Sequence, residues 1–402
     1  MLRRIHLIAA FGLSLLVGTC SGCDSTPFVN GNDSSTPEVV WEYDLKNDLL
    51  DNTQPLLLDG TAYVVADHYL FAFDAETGEQ HWKSKKQIST GGTISGKVVL
   101  HDGNRLFLRN GSAIWVFDRS SGVDLWKGFI PDFQSEGGSI MAQTSDHLYI
   151  PGEWELVQMD KSDGDIVRRI PFDTSLPDSV NHGVSSPVPG PEGMVYVPTG
   201  FYREGYGATE GRMHAMDPAT GEIQWAFKPS PRKLPPRPGS QDSVLTDTAI
   251  YGADVSGDYV VFPTGQSIFA LDRTTGEKRW RQFYSDDGFD YGLTIKNGVV
   301  YVGSVGERVY ALDLQTGEQL WSTRTRGSIT TILTVRDGDV YFCNEAGGEL
   351  WVLDAETGEV IWHSYPPEFS EDDRFTYLSP LGVGKNYMVN VGSRKIYGLT
   401  RP

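Results

Sequence analysis

The side chains that could do chemistry in this chain are few and dispersed. Eight histidines occur one at a time, with no spacing that would bring them together on a metal ion. Acidic pairs stand at Asp286-Asp287 and Asp372-Asp373. They could offer oxygens to calcium, but calcium takes six or more converging oxygens, and solvated loop charge accounts for them more simply. The sequence holds no adjacent cysteine pair, no Cys-x-x-Cys-His, no His-Glu-x-x-His, no Gly-x-Ser-x-Gly and no glycine-rich phosphate loop. No residue is therefore assigned a catalytic, cofactor-binding or metal-binding role. Covalent chemistry is expected at one thiol only. Cys23 follows Ser21 and Gly22, small residues of the kind that a signal peptidase needs before a cysteine destined for a lipid, although Cys20 stands where leucine is usual.

The segment ahead of Cys23 fits that chemistry. Arg3 and Arg4 supply positive charge, and a largely apolar stretch from Ile5 to Val17 follows, too short to span a bilayer comfortably. Residues 1–22 thus read as a lipoprotein signal peptide, 23–32 as a lipidated tether, and 33–402 as one folded domain. The tether would keep that domain within roughly 30 Å of its membrane. Cleavage would move the formal charge from −19 to −21, because two arginines leave and no acid does. So acidic a surface repels phosphate backbones and anionic headgroups. It argues against nucleic acid as a partner and leaves membrane contact to the acyl chain. With Cys23 acylated, Cys343 has no partner for an intramolecular disulfide.

The elements behind these residues are set by a repeat. Asp74, a Thr-Gly three residues on, and Trp82 form a frame that recurs at Asp217 to Trp225, Asp272 to Trp280, Asp313 to Trp321 and Asp354 to Trp362. Asp118 to Trp126 is a close relative with Ser121-Gly122. Asp160 keeps Gly164 but puts Arg168 in the tryptophan position, and Asp33, Thr36 and Trp41 hold the spacing with Pro37 for glycine. The aspartates are 41 to 44 residues apart except for two intervals of 57 and 55. A unit of that size makes four short strands, one blade of a propeller. Labelling strands A to D from the axis outward, the motif joins C to D. Its aspartate and threonine can accept turn amides, and its glycine takes the positive φ of the turn.

Each tryptophan opens an outer strand and is expected to wedge against a neighbouring blade, burying roughly 150–250 Å², about 4–6 kcal/mol as an upper bound. Trp41, Trp82, Trp126, Trp225, Trp280, Trp321 and Trp362 are read as these wedges. A small residue two positions before the aspartate (Ala72, Ala215, Ala270, Ala311) leaves them room. Arg168 marks a missing wedge, hence the weakest junction, where alanine should cost little. At the ends, 386–401 supplies inner strands without a following tryptophan strand, and Val39-Val40-Trp41 is an outer strand on its own. Pairing the two completes an eighth blade and removes open edges. The expected fold is all-β: an eight-bladed, monomeric propeller closed by its own termini.

These docking motifs resemble those of pyrroloquinoline-quinone (PQQ) dehydrogenases and of the PQQ-like repeat family, over nearly all of 33–401. Within it, the apparent lipidation site, the eight blades and the ending Ile396-Tyr-Gly-Leu-Thr-Arg401 are most similar to the BamB-type lipoproteins of outer-membrane β-barrel assembly. The resemblance implies a non-catalytic scaffold without a cofactor, lipid-anchored in the cell envelope, facing periplasm or exterior, and binding an envelope protein. The competing readings are a PQQ-dependent dehydrogenase and a propeller binding glycans or small ligands in its axial funnel. The dehydrogenases are longer, with a cysteine pair beneath the quinone and a Glu, Asn and Asp set around calcium.

Loop lengths indicate which end of the propeller works. Long connections fall between B and C or between D and the next A, on one side of the ring. Two insertions explain the long intervals: Gly200 to Gly211, with Tyr202 and Tyr206, and Pro229 to Asp247, with Arg232, Lys233 and Arg237 among prolines. Phe283 to Tyr291 and Tyr365 to Tyr377 add aromatics to the same face. Aromatics and arginine are what interfaces favour. Both insertions are read as loops outside the strand ladders, the second as extended polyproline.

Overall fold

The computed structural model describes residues 37–45, 54–88, 99–133, 140–153, 155–172, 180–203, 209–230, 232–233, 245–246, 249–250, 252–285, 287–289, 291–344, 349–364, 381–392 and 394–402. The first blade shows how the repeat becomes structure. Leu56–Leu58, Thr61–Ala66, Tyr69–Asp74 and Gln80–Lys83 pair antiparallel in that order. Its second and third strands are nearly continuous apolar runs because both faces are covered by the blades on either side, and Ala62 to Ala66 and Leu70 to Phe73 are buried. Outer strands instead alternate, as in Asp124–Phe129, where every second residue is exposed.

Five further four-stranded sheets repeat this order over 100–129, 142–171, 254–283, 293–324 and 334–364. A sheet over 180–227 adds the short strand Val188–Pro189. The eighth sheet runs Val39–Asp44, Lys395–Thr400, Tyr387–Val391, Gly382–Val383, so the N-terminal strand is its outer edge and the C-terminal strands its interior. The chain forms the expected eight-bladed all-β propeller, and no helix among the described residues is long and apolar enough to cross a membrane.

The motif works as its chemistry suggests. Asp74 Oδ1 accepts the amides of Glu76 at 3.0 Å and Thr77 at 2.8 Å and the Thr77 hydroxyl at 2.9 Å. Gly78 closes the turn at φ +72°. A second constraint on that glycine comes from the preceding blade: a Cβ there would stand 2.5 Å from the Trp41 ring. Trp41 Nε1 donates to Ala75 O at 3.0 Å. The wedge therefore points forward, the tryptophan lying on the next blade's turn glycine and donating to the carbonyl just after its aspartate. Trp82 does so to Arg119, Trp225 to Arg273, Trp280 to Leu314 and Trp321 to Ala355, at 2.9–3.1 Å. Ala72, Ala215, Ala270 and Ala311 lie directly across from their own blade's tryptophan. Trp126 also packs on its glycine, Gly164, but its buried Nε1 has no partner, and the Lys161 carbonyl accepts from Arg105 at 2.8 Å.

One expectation needs correction. Arg168 does not leave a gap. Its Cδ lies 2.7 Å from where a Gly221 Cβ would be, and its Nη atoms donate to Ala219 O at 3.0 Å and Pro218 O at 3.4 Å. An aliphatic stem with a forked donor fills the slot of an indole. At the closing blade, Asp33 and Thr36 lie outside the described residues, and the motif aspartate's place is taken from the other end of the chain. Thr400 N donates to Glu38 O at 2.9 Å, as Asp74 N does to Glu79 O, and Glu38 N donates to the Thr400 hydroxyl. Trp362 lies in the apolar cluster with Leu381, Val383 and Met388.

The turns make the ring acid-sensitive. The Thr275 amide above all, with Arg279 and Thr274, holds the Asp272 carboxyl at about 2, against 3.8 for a free one. Asp74, Asp313 and Asp354 are lowered chiefly by the corresponding Thr amide, and Asp118 and Asp160 by the Ser120 and Ser162 hydroxyls. Depressed carboxyl pKa values give stability that is present above the unfolded pKa and lost as pH falls through the folded one. Urea midpoints should therefore decline between pH 4 and 2. Asp272→Asn should be less stable than the parent at pH 7 and approach it near pH 2; an unchanging gap between the two would contradict this account.

Candidate partner-binding face

The two ends of the propeller differ. At one, the A–B and C–D turns are tight, as at Asp59-Gly60, Asn297-Gly298 and Asp337-Gly338, each with its first residue at φ near +50°. The other end carries the B–C and D–A connections, and the fourth blade departs most there. Its strands Val195–Arg203 and Thr209–Met216 are nine and eight residues long. Tyr63 faces Ala72 in the first blade and Tyr196 faces Ala215 in the fourth, so Thr199 corresponds to Ala66, where the first blade's strand ends. Four more residues continue the ladder, about 13 Å of projecting hairpin. Val180–Val184 runs along its other edge, from Val180 opposite Arg203 to Val184 opposite Thr199.

Both insertions were expected to lie outside the strand ladders, and both belong to one. Tyr202 sits in the hairpin, opposite Thr209 on one side and Asn181 on the other. Arg232 and Lys233 pair with Thr246 and Leu245 as a two-stranded ladder, so this part of the second insertion is a β-ribbon rather than polyproline. Tyr206 and Arg237 lie outside the described residues.

The blades also carry pairs of a basic residue with an aromatic that the spacing would have disclosed. The residue after a docking tryptophan faces the residue three before the aspartate: Lys83 faces Phe71, Lys127 faces Trp115, Arg281 faces Phe269 and His363 faces Trp351. Lys127 Nζ is 4.1 Å from the Trp115 ring centre, Lys83 Nζ is 3.7 Å from Tyr69, and His363 stacks on Trp351 at 4.2 Å. Burial lowers the His363 pKa, so the ring stays neutral at pH 7. Phe129, at the end of its outer strand, is 63% exposed.

Asp287, one of the carboxylates considered for calcium, is occupied otherwise. Its Oδ1 accepts from Gly288 and Gly306 amides at 2.8 Å and its Oδ2 from the Tyr310 hydroxyl at 2.7 Å. Burial, and then Asp287, raise the Tyr310 pKa and push Tyr284 to about 12. This carboxylate ties the D–A connection of the fifth blade to the B–C turn of the sixth. Asp286, Asp372 and Asp373 lie outside the described residues. Among the described residues the groups expected around a quinone do not come together: Cys343 is fully buried in an apolar cluster beside Asn390, and no three His, Cys, Asp or Glu side chains converge.

A family model described as outer membrane protein assembly factor BamB matches residues 26–145, 110–264 and 264–400. BamB from Moraxella catarrhalis is similar in structure, with a TM-score of 0.62 at 16% identity, covering 91% of this chain and 100% of that one. The quinohemoprotein alcohol dehydrogenase of Comamonas testosteroni gives 0.63 at 13% identity, covering 91% of this chain and 76% of that one. In sequence, the serine/threonine-protein kinase AfsK of Streptomyces griseus is 22% identical over 232 residues, 58% of this chain. The chain spans about a fifth of that kinase's length, 21%. At such identities the structural likenesses speak for the fold alone.

Proposed function

From the premise that the chain belongs to the family of the outer membrane protein assembly factor BamB, we propose that it is a non-catalytic scaffold of the cell envelope that holds a partner protein of outer-membrane assembly. The observation that carries the reading is the placement of the two largest departures from the repeat. The fourth blade's hairpin and the ribbon of Arg232–Lys233 with Leu245–Thr246 come from the same blade and its exit, at the same end of the ring. A hairpin whose backbone is already paired costs little further ordering on binding, which favours capture of a partner.

A photo-crosslinker at Tyr202 or Arg232 should link the chain, in intact cells, to an outer-membrane assembly protein. Shortening 200–211 to the tight turn of the first blade should lower capture of that partner at least tenfold, about 1.4 kcal/mol, with the melting temperature nearly unchanged. Capture that survives this change but fails on alteration of the Thr-Gly turns would put the interface at the other end. PQQ- and calcium-dependent dye reduction by the purified protein would overturn the non-catalytic part.

The same reading takes Cys23 as the lipidated residue and a monomeric propeller as the working form. Cys23→Ser should move the protein from the membrane to the soluble fraction. Labelled palmitate still entering that variant would assign the lipid elsewhere.

A further inference from the structure

Four of the eight blade junctions are closed at the turn end by one device. The residue after the motif aspartate, or its equivalent, is a long cation that reaches back to a carboxylate of the preceding blade. Arg119 reaches Asp59 at 3.0 Å, Lys161 reaches Asp102 at 2.9 Å, Arg273 reaches Glu192 at 3.7 Å and Arg401 reaches Asp337 at 2.7 Å. At the junction of the eighth blade with the first, that residue is Ala75, and the preceding turn is Lys385-Asn386, with a cation where the first and seventh blades have Asp59 and Asp337. The backbone frame is unchanged: Ala75 N donates to Gly60 O as Arg119 N does to Asn104 O and Arg401 N to Asn386 O. Only the side chains differ, and they leave a cavity of about 420 Å³ lined by Leu57, Leu58, Ala75, Glu76, Lys385 and Tyr387 among others.

The slot is thus apolar on one side and on the other sets the Lys385 cation among the carboxylates of Asp59, Asp74 and Glu76. Lys385 makes no ion pair among the described residues. Glu76 lies beside the Tyr387 hydroxyl and, after burial, raises its pKa. Arg336, also in the lining, is engaged with Val383 O and Asp337. We propose that this slot binds a small organic monocarboxylate with an apolar body, the carboxylate on Lys385 and the body on Leu57, Leu58 and Ala75. The volume is that of a small-molecule site. Asp59, Asp74 and Glu76 in the same wall disfavour a dianion such as phosphate. The ligand is a free acid or the C-terminal residue of a peptide, which share this chemistry.

Calorimetric titration of the full chain with N-acetyl-leucine, with an acetylated tripeptide ending in leucine, and with that tripeptide's C-terminal amide tests the proposal. Saturable binding of the acid or the peptide, and none of the amide, is expected. Tighter binding of the peptide identifies a chain terminus as the ligand, and equal binding identifies the free acid. Lys385→Gln, in an exposed turn, should weaken binding at least tenfold. Ala75→Arg with Lys385→Asp, which rebuilds the ion pair of the neighbouring junction, should abolish binding and keep a cooperative unfolding transition. Absence of binding to either carboxylate, or equal binding of acid and amide, or unaltered binding by Lys385→Gln, overturns the proposal.

Discussion

Trp321→Ala is expected to lower the unfolding free energy by about 3–5 kcal/mol, the range for removing a buried tryptophan from a packed core. The ring is 9% exposed, packs with Tyr301 at 6.0 Å between centres, and covers Gly358 so closely that a Cβ there would stand 2.5 Å away. Because the Tyr301 hydroxyl also donates to the Ala355 carbonyl at 3.1 Å, that acceptor keeps a partner in the variant. The loss should therefore come from the cavity rather than from an orphaned polar group. Arg168→Ala provides the comparison. Its donors to Pro218 and Ala219 disappear, but Gln158 still serves Pro218 O at 3.1 Å, and the stem is only half-buried, so a loss of about 1–2 kcal/mol is expected. Urea unfolding of the two variants under one set of conditions decides the matter. A Trp321→Ala loss of only about 0.5 kcal/mol, as for an exposed position, would mean that forward docking is not what holds the blades.

Removing residues 37–45 should have a larger effect still. It deletes the outer strand of the eighth blade and the Trp41 wedge, which stacks on Phe73 at 5.6 Å within the cluster joining the eighth and first blades. The tryptophan alone is worth about 4–6 kcal/mol at the usual area coefficient. The strand Lys395–Thr400 is left with an unpaired edge, a template for pairing with another chain. Light scattering after size exclusion should show dimers or larger species. A synthetic peptide of residues 37–45, added during refolding, should restore the monomer. A monomeric deletion variant with the parent's melting temperature would show that the ring does not depend on its terminal closure.

Most of the ring was legible because its signals are local. The aspartate, glycine and tryptophan within one motif fix a turn and a wedge, and recurrence of the motif gives the blade count. Direction was not legible. That Gly78 must admit the ring of Trp41 depends on which neighbour each blade leans upon, a relation between copies that no single copy contains. Arg168 was misread for a related reason: residue type suggests a missing aromatic, whereas the slot asks for a flat or slender body with a donor at its tip. The hairpin at Tyr202 was read as a loop because its glycines and charges interrupt apolar alternation. The ribbon at Arg232 was hidden by prolines that an edge strand tolerates.

The closing blade sets an order of events during synthesis. Trp41 and its acceptor, Ala75, are 34 residues apart, so the first wedge can form as soon as the first blade exists. Glu38 and Thr400, which complete the last turn, are 362 residues apart. Loop-closure entropy grows only slowly with length, by about 0.6 kcal/mol per doubling, but the partner strand does not exist until about 350 residues more have been made. The N-terminal strand, docked on the first blade through Trp41 and Tyr43, must therefore wait with its hydrogen-bonding edge unpaired until Lys395–Thr400 has been made.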